Sequence, residues 1–386
     1  MQYRSFPKIP NLKVSALGLG MMRLPTTDSD PTHIDEKATE ELFLTALERG
    51  VNYVDTAYPY HNGASEIVTG RLINKHGLRD RLYLATKCPV WLVKGESDWD
   101  RLLSEQLAKL GTDHIDFYLL HALNAERWDT IRTYRGLEAL ERAKAQGRIR
   151  HIGFSFHDSL SVFKRIIDGY ENWEFCQVQY NYLDTEYQAG LEGIQYAAAK
   201  DIGVIIMEPL RGGALAKVPE PVDRIFAATG KERSPADWAL RFVLNRNEVV
   251  TVLSGMGSNQ QVLENSIVAD QVHPGQLSGP ELAAYASAAA YFREKMPVPC
   301  TSCGYCMPCP NGVAIPDVFG IYNSAMAFNE REGNSRWYQK GYVSAGKGAD
   351  SCIACGACLP KCPQHIDIIN SLAEAHRVLT ASSIQP

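Results

Sequence analysis

Along residues 15–275 short apolar, β-branched runs alternate with longer stretches whose apolar residues recur at helical spacing. The short runs are "SALGLG" (Ser15 to Gly20), "VNYVD" (Val51 to Asp55), "LYLAT" (Leu82 to Thr86), "IDFYLL" (Ile115 to Leu120), "IRHIGF" (Ile149 to Phe154), "FCQVQY" (Phe175 to Tyr180), "VIIM" (Val204 to Met207) and "VVTVL" (Val249 to Leu253). Each is followed by helix-like sequence. "SPADWALRFVLNR" (Ser234 to Arg246) has a capping serine and a proline at the first helical position, and "DEKATEELFLTALERG" (Asp35 to Gly50) ends in glycine. Eight such units in roughly 250 residues predict an α/β fold of the closed (β/α)8, TIM-barrel type, because a doubly wound sheet usually stops at fewer strands. The first dozen residues are expected to form a small hairpin over the barrel floor.

The pattern changes near "GPELAAYASAAAYFREKMP" (Gly279 to Pro297), which reads as one helix. We divide the chain into a barrel over 1–278, a linker helix over 279–296 and a small domain over 297–386. Cysteine usage marks the same boundary: only Cys88 and Cys176 precede residue 300, and the other eight of ten lie between Cys300 and Cys362. The N-terminus lacks the features of a secretory signal, and no apolar run is long enough to span a membrane. A cytoplasmic location is therefore expected, where thiols serve as metal ligands or nucleophiles rather than disulfides. With 39 basic and 44 acidic residues, the net charge of -5 gives no basic field for nucleic acid or membrane.

In such barrels chemistry sits at the C-terminal ends of the strands. The second strand ends in Asp55 and leads to Tyr60, the third ends in Lys87, and the fourth ends in His121. Taken singly, each has an ordinary reading as a solvated lysine, a turn aspartate or a core histidine. Their occurrence at neighbouring strand ends argues for a site. A hydride delivered to a carbonyl carbon leaves an alkoxide that must be protonated, and Tyr60 can give that proton. Lys87 would lower the phenol's pKa, Asp55 would hold Lys87 ionised, and His121 would orient the substrate oxygen. Cys176, in an apolar strand, reads as core packing, and Cys88 as a buried thiol despite its neighbour Lys87.

These residues stand within "DTAYPY" (Asp55 to Tyr60), "TK" (Thr86 and Lys87) and the segment ending in His121; with "GFS" (Gly153 to Ser155), "QVQYN" (Gln177 to Asn181), "EPLRGG" (Glu208 to Gly213) and "SGMGSNQQVLEN" (Ser254 to Asn265), the chain resembles an aldo/keto reductase over residues 1–275. The resemblance implies NAD(P)H bound across the barrel mouth without a glycine-rich Rossmann loop. It places Gly20, Met21 and Pro209 among the cofactor-binding residues, Ser155 and Gln179 on the nicotinamide amide, and Leu210, Gly212 and Gly255 along the pyrophosphate. Gln261 and Asn265 fall near the adenosine. Two departures stand out: Phe156 follows Ser155 where many members have asparagine, and residues 255–261 hold no basic side chain for a 2'-phosphate.

The tail carries two cysteine runs. Cys300, Cys303, Cys306 and Cys309 are followed by Pro310, and Cys352, Cys355, Cys358 and Cys362 by Pro363. The second has the spacing of two-cluster bacterial ferredoxins, and the first is one residue shorter. Three closely spaced thiolates grip one [4Fe-4S] cluster, and the fourth crosses to the other. Cys300, Cys303, Cys306 and Cys362 are thus assigned to one cluster, and Cys352, Cys355, Cys358 and Cys309 to the second. Zinc is the alternative, although its four-cysteine sites usually split into two separated pairs. The 42 residues from Pro310 to Ser351 include helix-like sequence, so the tail is similar to α-helical ferredoxin-like domains. The whole chain resembles the aldo/keto reductases that carry such a tail. Hydride exchange between NAD(P)H and a small carbonyl or alcohol is expected, with the clusters either structural or relaying electrons to a ferredoxin or other redox partner. The competing expectation is an electron-transfer or interaction protein whose barrel binds, for example, a flavin or quinone.

Overall fold

Residues 1–300, 304–362 and 364–381 are described by the computed structural model. Strands β1 (Tyr3–Phe6) and β2 (Ile9–Ser15) pair antiparallel as a hairpin. Eight parallel strands follow: β3 (Leu17–Gly20), β4 (Tyr53–Asp55), β5 (Tyr83–Cys88), β6 (Ile115–Leu123), β7 (Ile149–Phe156), β8 (Phe175–Gln179), β9 (Gly203–Met207) and β10 (Val249–Ser254). They close into a barrel in chain order, with β10 returning to β3. The expected (β/α)8 architecture is therefore the observed one.

Alternation along each strand explains the two layers of core. Inward residues such as Tyr53, Phe117, Phe175 and Ile205 pack in the barrel interior, and outward ones such as Val54, Tyr118, Cys176 and Ile206 pack under the helices. The hairpin stoppers the interior with Phe6, whose ring lies 5.1 Å from Phe117 and 5.9 Å from Phe175. Gly203 admits that ring, because a Cβ there would meet a Phe6 ring carbon at 2.2 Å. Helix starts are set locally. Asp35 accepts from the Ala38 N–H at the helix Glu36–Glu48, and Ser234 from the Asp237 N–H at the helix Pro235–Leu244.

The chain divides into two compact units, one of Met1–Ala216 with Arg233–Leu277, the other of Lys217–Glu232 with the chain from Ser278 onward. The second unit is helical, with Glu220–Ala227, Gly279–Lys295, Ile315–Ala327, Arg331–Tyr338 and Ile368–Thr380. The helix Gly279–Lys295, expected as a linker, is one of its packed elements: Tyr285 meets Phe226 at 5.5 Å and Phe292 meets Phe328 at 4.7 Å between ring centroids. Deeper in this unit, Asn323 exchanges two buried hydrogen bonds with the Val298 backbone. Among the described residues no helix is long and apolar enough to cross a membrane.

Candidate active site

The C-terminal ends of the barrel strands surround a cavity of about 250 Å³. Asp55, Tyr60, Lys87 and His121 all line it. Parallel register sets Asp55 level with Ala85, so Lys87 stands one inward position higher and its stem rises toward the mouth. Its ammonium, fully buried, donates to Asp55 Oδ1 at 2.5 Å, to the Thr56 carbonyl at 2.9 Å and to the Tyr60 hydroxyl at 3.2 Å. Tyr60 and His121 meet edge to face at 6.1 Å between centroids.

Charge states follow from burial and pairing. Burial pulls Lys87 toward neutrality, but Asp55 and Tyr60 together outweigh it and hold the ammonium above its ordinary pKa. Burial likewise raises Asp55, with Lys87 opposing. His121 is driven well below the usual histidine range by burial and by the charges of Lys87 and Arg127, so its imidazole is neutral. Tyr60 departs from the sequence expectation. Burial outweighs the adjacent ammonium, and its phenol lies above the ordinary value. Tyr60 therefore keeps its proton at neutral pH.

A network that motif reading missed holds Lys87 from behind. Buried Glu66 accepts from Thr86 Oγ1 at 2.7 Å and from Gln106 Nε2 at 2.6 Å, and Gln106 also donates to the Lys87 carbonyl at 3.0 Å. These partners come from two helices, so no local signal in the sequence ties them to the site. Tyr60 is pinned by its neighbour His61. The Leu24 N–H donates to His61 Nε2 at 3.1 Å, which leaves Nδ1 to donate to the Pro31 carbonyl at 2.7 Å. His61 and Asn62 both adopt left-handed backbone, as do Ala122 just after His121 and Glu208 just after β9. Non-glycine residues take that region at a cost, and among these Glu208 lines the cavity.

The residues expected to hold a nucleotide divide in two. Gly20, Ser155, Pro209, Leu210, Gly212 and Gly255 line the cavity. Gly212 and Gly213 have φ of 68° and 101°, and the loop around them exposes backbone to the cavity in a conformation that favours glycine. Ser155 is buried and accepts from the Ala122 N–H at 2.7 Å, leaving its own O–H to donate. Met21 and Gln179 do not line the cavity. Met21 faces the core, fully buried, and Met22 and Arg23 line the cavity in its place. Gln179, at the top of β8, donates to Asp184 at 3.1 Å, while Gln177 lines the cavity. Register sets Gln177 directly beside Ser155, and its buried Oε1 has no hydrogen-bond partner among the described residues. Gln261 and Asn265, on the helix Asn259–Gln271, do not line the cavity themselves: Gln261 accepts from the Gly257 N–H at 2.8 Å, and buried Asn265 donates to the lining residue Ser254 at 3.2 Å. Cys88 is buried with its thiol pushed up to about 12 by that burial, as an inert core thiol should be.

Residues 16–273 match the aldo/keto reductase family, two thirds of the chain. The chain belongs to that family. Among its relatives, an aldo-keto reductase of Mycobacterium avium (strain 104) is 30% identical over 279 residues, covering 69% of this chain and 87% of its own. The NADH-specific methylglyoxal reductase of Escherichia coli (strain K12) is 24% identical over 315 residues, covering 67% and 92%. Among solved structures, an aldo-keto reductase from Bacillus halodurans in its holo form superposes with a TM-score of 0.61 at 26% identity, over 75% of this chain and 96% of that one. An aldo-keto reductase from Klebsiella pneumoniae in complex with NADPH gives 0.59 at 26% identity, over 74% and 95%. Residues 299–366 match a 4Fe-4S dicluster domain, so this aldo/keto reductase carries such a domain at its C-terminal side.

Within the helical unit the described cysteines ring two cavities. One is lined by Cys300, Cys306 and Cys362, the other by Cys309, Cys352, Cys355 and Cys358. Cys303 lies outside the described residues. Among the described residues, no three His, Cys, Asp or Glu side chains converge closely enough to hold a single metal ion. Thiols spread around a hollow fit a cube of iron and sulfide better than the tight tetrahedron of zinc.

Proposed function

We propose that the barrel mouth exchanges a hydride between NAD(P)H and a carbonyl or secondary alcohol, with Tyr60 as the proton donor. The observation that carries this reading is the buried contact of Lys87 with both Asp55 and the Tyr60 hydroxyl beside a cavity that also presents Ser155 and the free Oε1 of Gln177. Ser155 and Gln177 offer one donor and one acceptor to a carboxamide, and Gly212 and Gly255 offer close backbone approach to a pyrophosphate. The NADPH complex of the Klebsiella neighbour supports a nicotinamide nucleotide as the cofactor. A reduced nicotinamide, when bound, supplies the hydride.

The chain's own residues then handle the oxygen and its proton. Neutral His121 donates a hydrogen bond to the substrate carbonyl, orienting it and favouring negative charge on the oxygen. Tyr60 gives its proton to that oxygen as the carbon gains the hydride, and the phenolate left behind is stabilised by Lys87 at 3.2 Å. Asp55 keeps Lys87 charged throughout. Following NAD(P)H oxidation with small aldehydes tests this: the wild type should turn over, and Tyr60→Phe should lose about 10²-fold or more. A wild type inert towards every aldehyde, or a Tyr60→Phe variant at full rate, sinks the reading.

For the tail, the two cavities support one cluster on Cys300, Cys303, Cys306 and Cys362 and a second on Cys309, Cys352, Cys355 and Cys358. Each set joins both ends of the tail, so the clusters cross-link the helical unit. Carbonyl reduction by hydride is a two-electron step that needs no one-electron carrier. A structural role and an electron relay therefore separate cleanly: NADPH added anaerobically bleaches the cluster absorbance only if the two units exchange electrons.

A further inference from the structure

Resting on the reductase reading above, we propose that the substrate carries a carboxylate, received by Arg127 beyond the catalytic His121. Arg127 sits in the first turn of the helix Ala125–Thr133, which follows the end of β6 at Leu123, two residues beyond His121. Its guanidinium lies 5.0 Å from the Trp91 ring centroid, Trp91 lies 5.1 Å from the His121 ring, and His121 lies 6.1 Å from Tyr60. These side chains form one continuous run from the proton donor to a cation.

That cation has no anion of its own. One guanidinium nitrogen donates to the Ala122 carbonyl, which fixes its position. No carboxylate among the described residues forms an ion pair with it, whereas Arg79, Arg148, Arg150, Arg211 and Arg241 each have one. Glu126 precedes it in the chain and faces solvent. Of the two cations that line the cavity, Lys87 is taken by Asp55, and Arg23 reaches Gly212, on the side of the proposed pyrophosphate contacts. His157 adds none, since burial first and the charge of Arg127 second push its pKa down to about 4. The one further carboxylate lining the cavity, Glu208, belongs to the loop after β9, where it approaches Gly212 and so lies with the proposed pyrophosphate contacts.

A guanidinium held at one nitrogen keeps a planar pair of donors for a carboxylate, and partial burial strengthens that contact. Trp91, 40% exposed, offers an apolar face for the carbons between the two ends. The fitting ligand has a carbonyl at Tyr60 and His121, an apolar spacer across Trp91, and a terminal carboxylate: an aromatic or aliphatic oxo acid whose two functions are separated by several bonds.

The test compares kcat/KM, with NADPH or NADH, for 4-carboxybenzaldehyde against benzaldehyde and for 4-oxobutanoate against butanal. The wild type should favour the acid in each pair by roughly tenfold or more, the amount a charge-assisted hydrogen bond contributes. Arg127→Met should erase that ratio, chiefly through KM of the acids, and Arg127→Lys should retain part of it. A wild type without acid preference overturns the inference and leaves the reductase reading intact. Equal losses on acid and neutral substrate in Arg127→Met also overturn it, because they show a residue that only supports the Ala122 carbonyl. Inactivity of the wild type on all four compounds rejects the reductase reading and this inference with it.

Discussion

Replacing Lys87 by methionine removes the cation from a pair that is wholly withdrawn from water, Lys87 being 0% and Asp55 2% exposed. At 2.5 Å and an effective dielectric of about 20, the attraction is on the order of 6 to 7 kcal/mol. Desolvation of both ions consumes much of it. What is lost on removing one partner is about 3 to 5 kcal/mol, because Asp55 is left buried without its counter-charge. The loss depends on pH. Without Lys87 nothing opposes the burial that already raises Asp55, so its folded pKa moves further above the unfolded value near 3.9. Below about pH 4 the carboxyl is neutral in both states and the variant suffers little. As pH rises past the ionisation of Asp55 in the wild type, the variant's folded carboxyl still holds its proton while the unfolded chain has lost it, so stability relative to wild type falls by about 1.4 kcal/mol per pH unit until the variant's folded carboxyl ionises too. Asp55→Asn with Lys87→Met removes both charges and should recover most of the loss. Urea unfolding followed by tryptophan fluorescence at pH 4.5 and 7.5 checks this for the barrel unit. A single variant equally destabilised at both pH values, or a double variant no better than the single, would refute the electrostatic account.

Gln177→Leu should weaken NADPH binding about tenfold, the worth of one buried hydrogen bond, and Gln179→Leu should not; fluorescence titration distinguishes them. His61→Ala should lower kcat more than it raises KM, because it frees the turn that carries Tyr60 while touching no ligand; steady-state kinetics with a fixed aldehyde reads the split. Anaerobic protein should contain about eight irons with acid-labile sulfide. Chelating them should unfold the helical unit, whose core is small and whose cysteines come from both ends of the tail; a far-UV circular dichroism signal unchanged by iron removal would contradict the cross-linking role.

Much of this protein is legible in its amino-acid order alone. Short apolar, β-branched runs and stretches of period 3.6 carry their own meaning, because the length of a run and the spacing of its apolar residues reflect local backbone geometry; eight alternations of the two predict the barrel and put Asp55, Lys87 and His121 at strand ends. Cysteine spacing is similarly local, and it anticipates which described thiols share each hollow of the tail. The rest depends on contacts between distant segments. Gln177 and Gln179 point to the same side of β8, so alternation cannot separate them; the register with Ser155 and the grip of Asp184 on Gln179 do. Met21 and Met22 face opposite ways, and only the closure of β3 on its neighbours decides which is core. Tyr60's proton affinity cannot be judged from its charged neighbour alone, since burial is a property of everything packed around the phenol. Arg127 carries no motif at all: its significance lies in lacking an ion-pair partner among the described residues, and that is visible only when every other segment has taken its place.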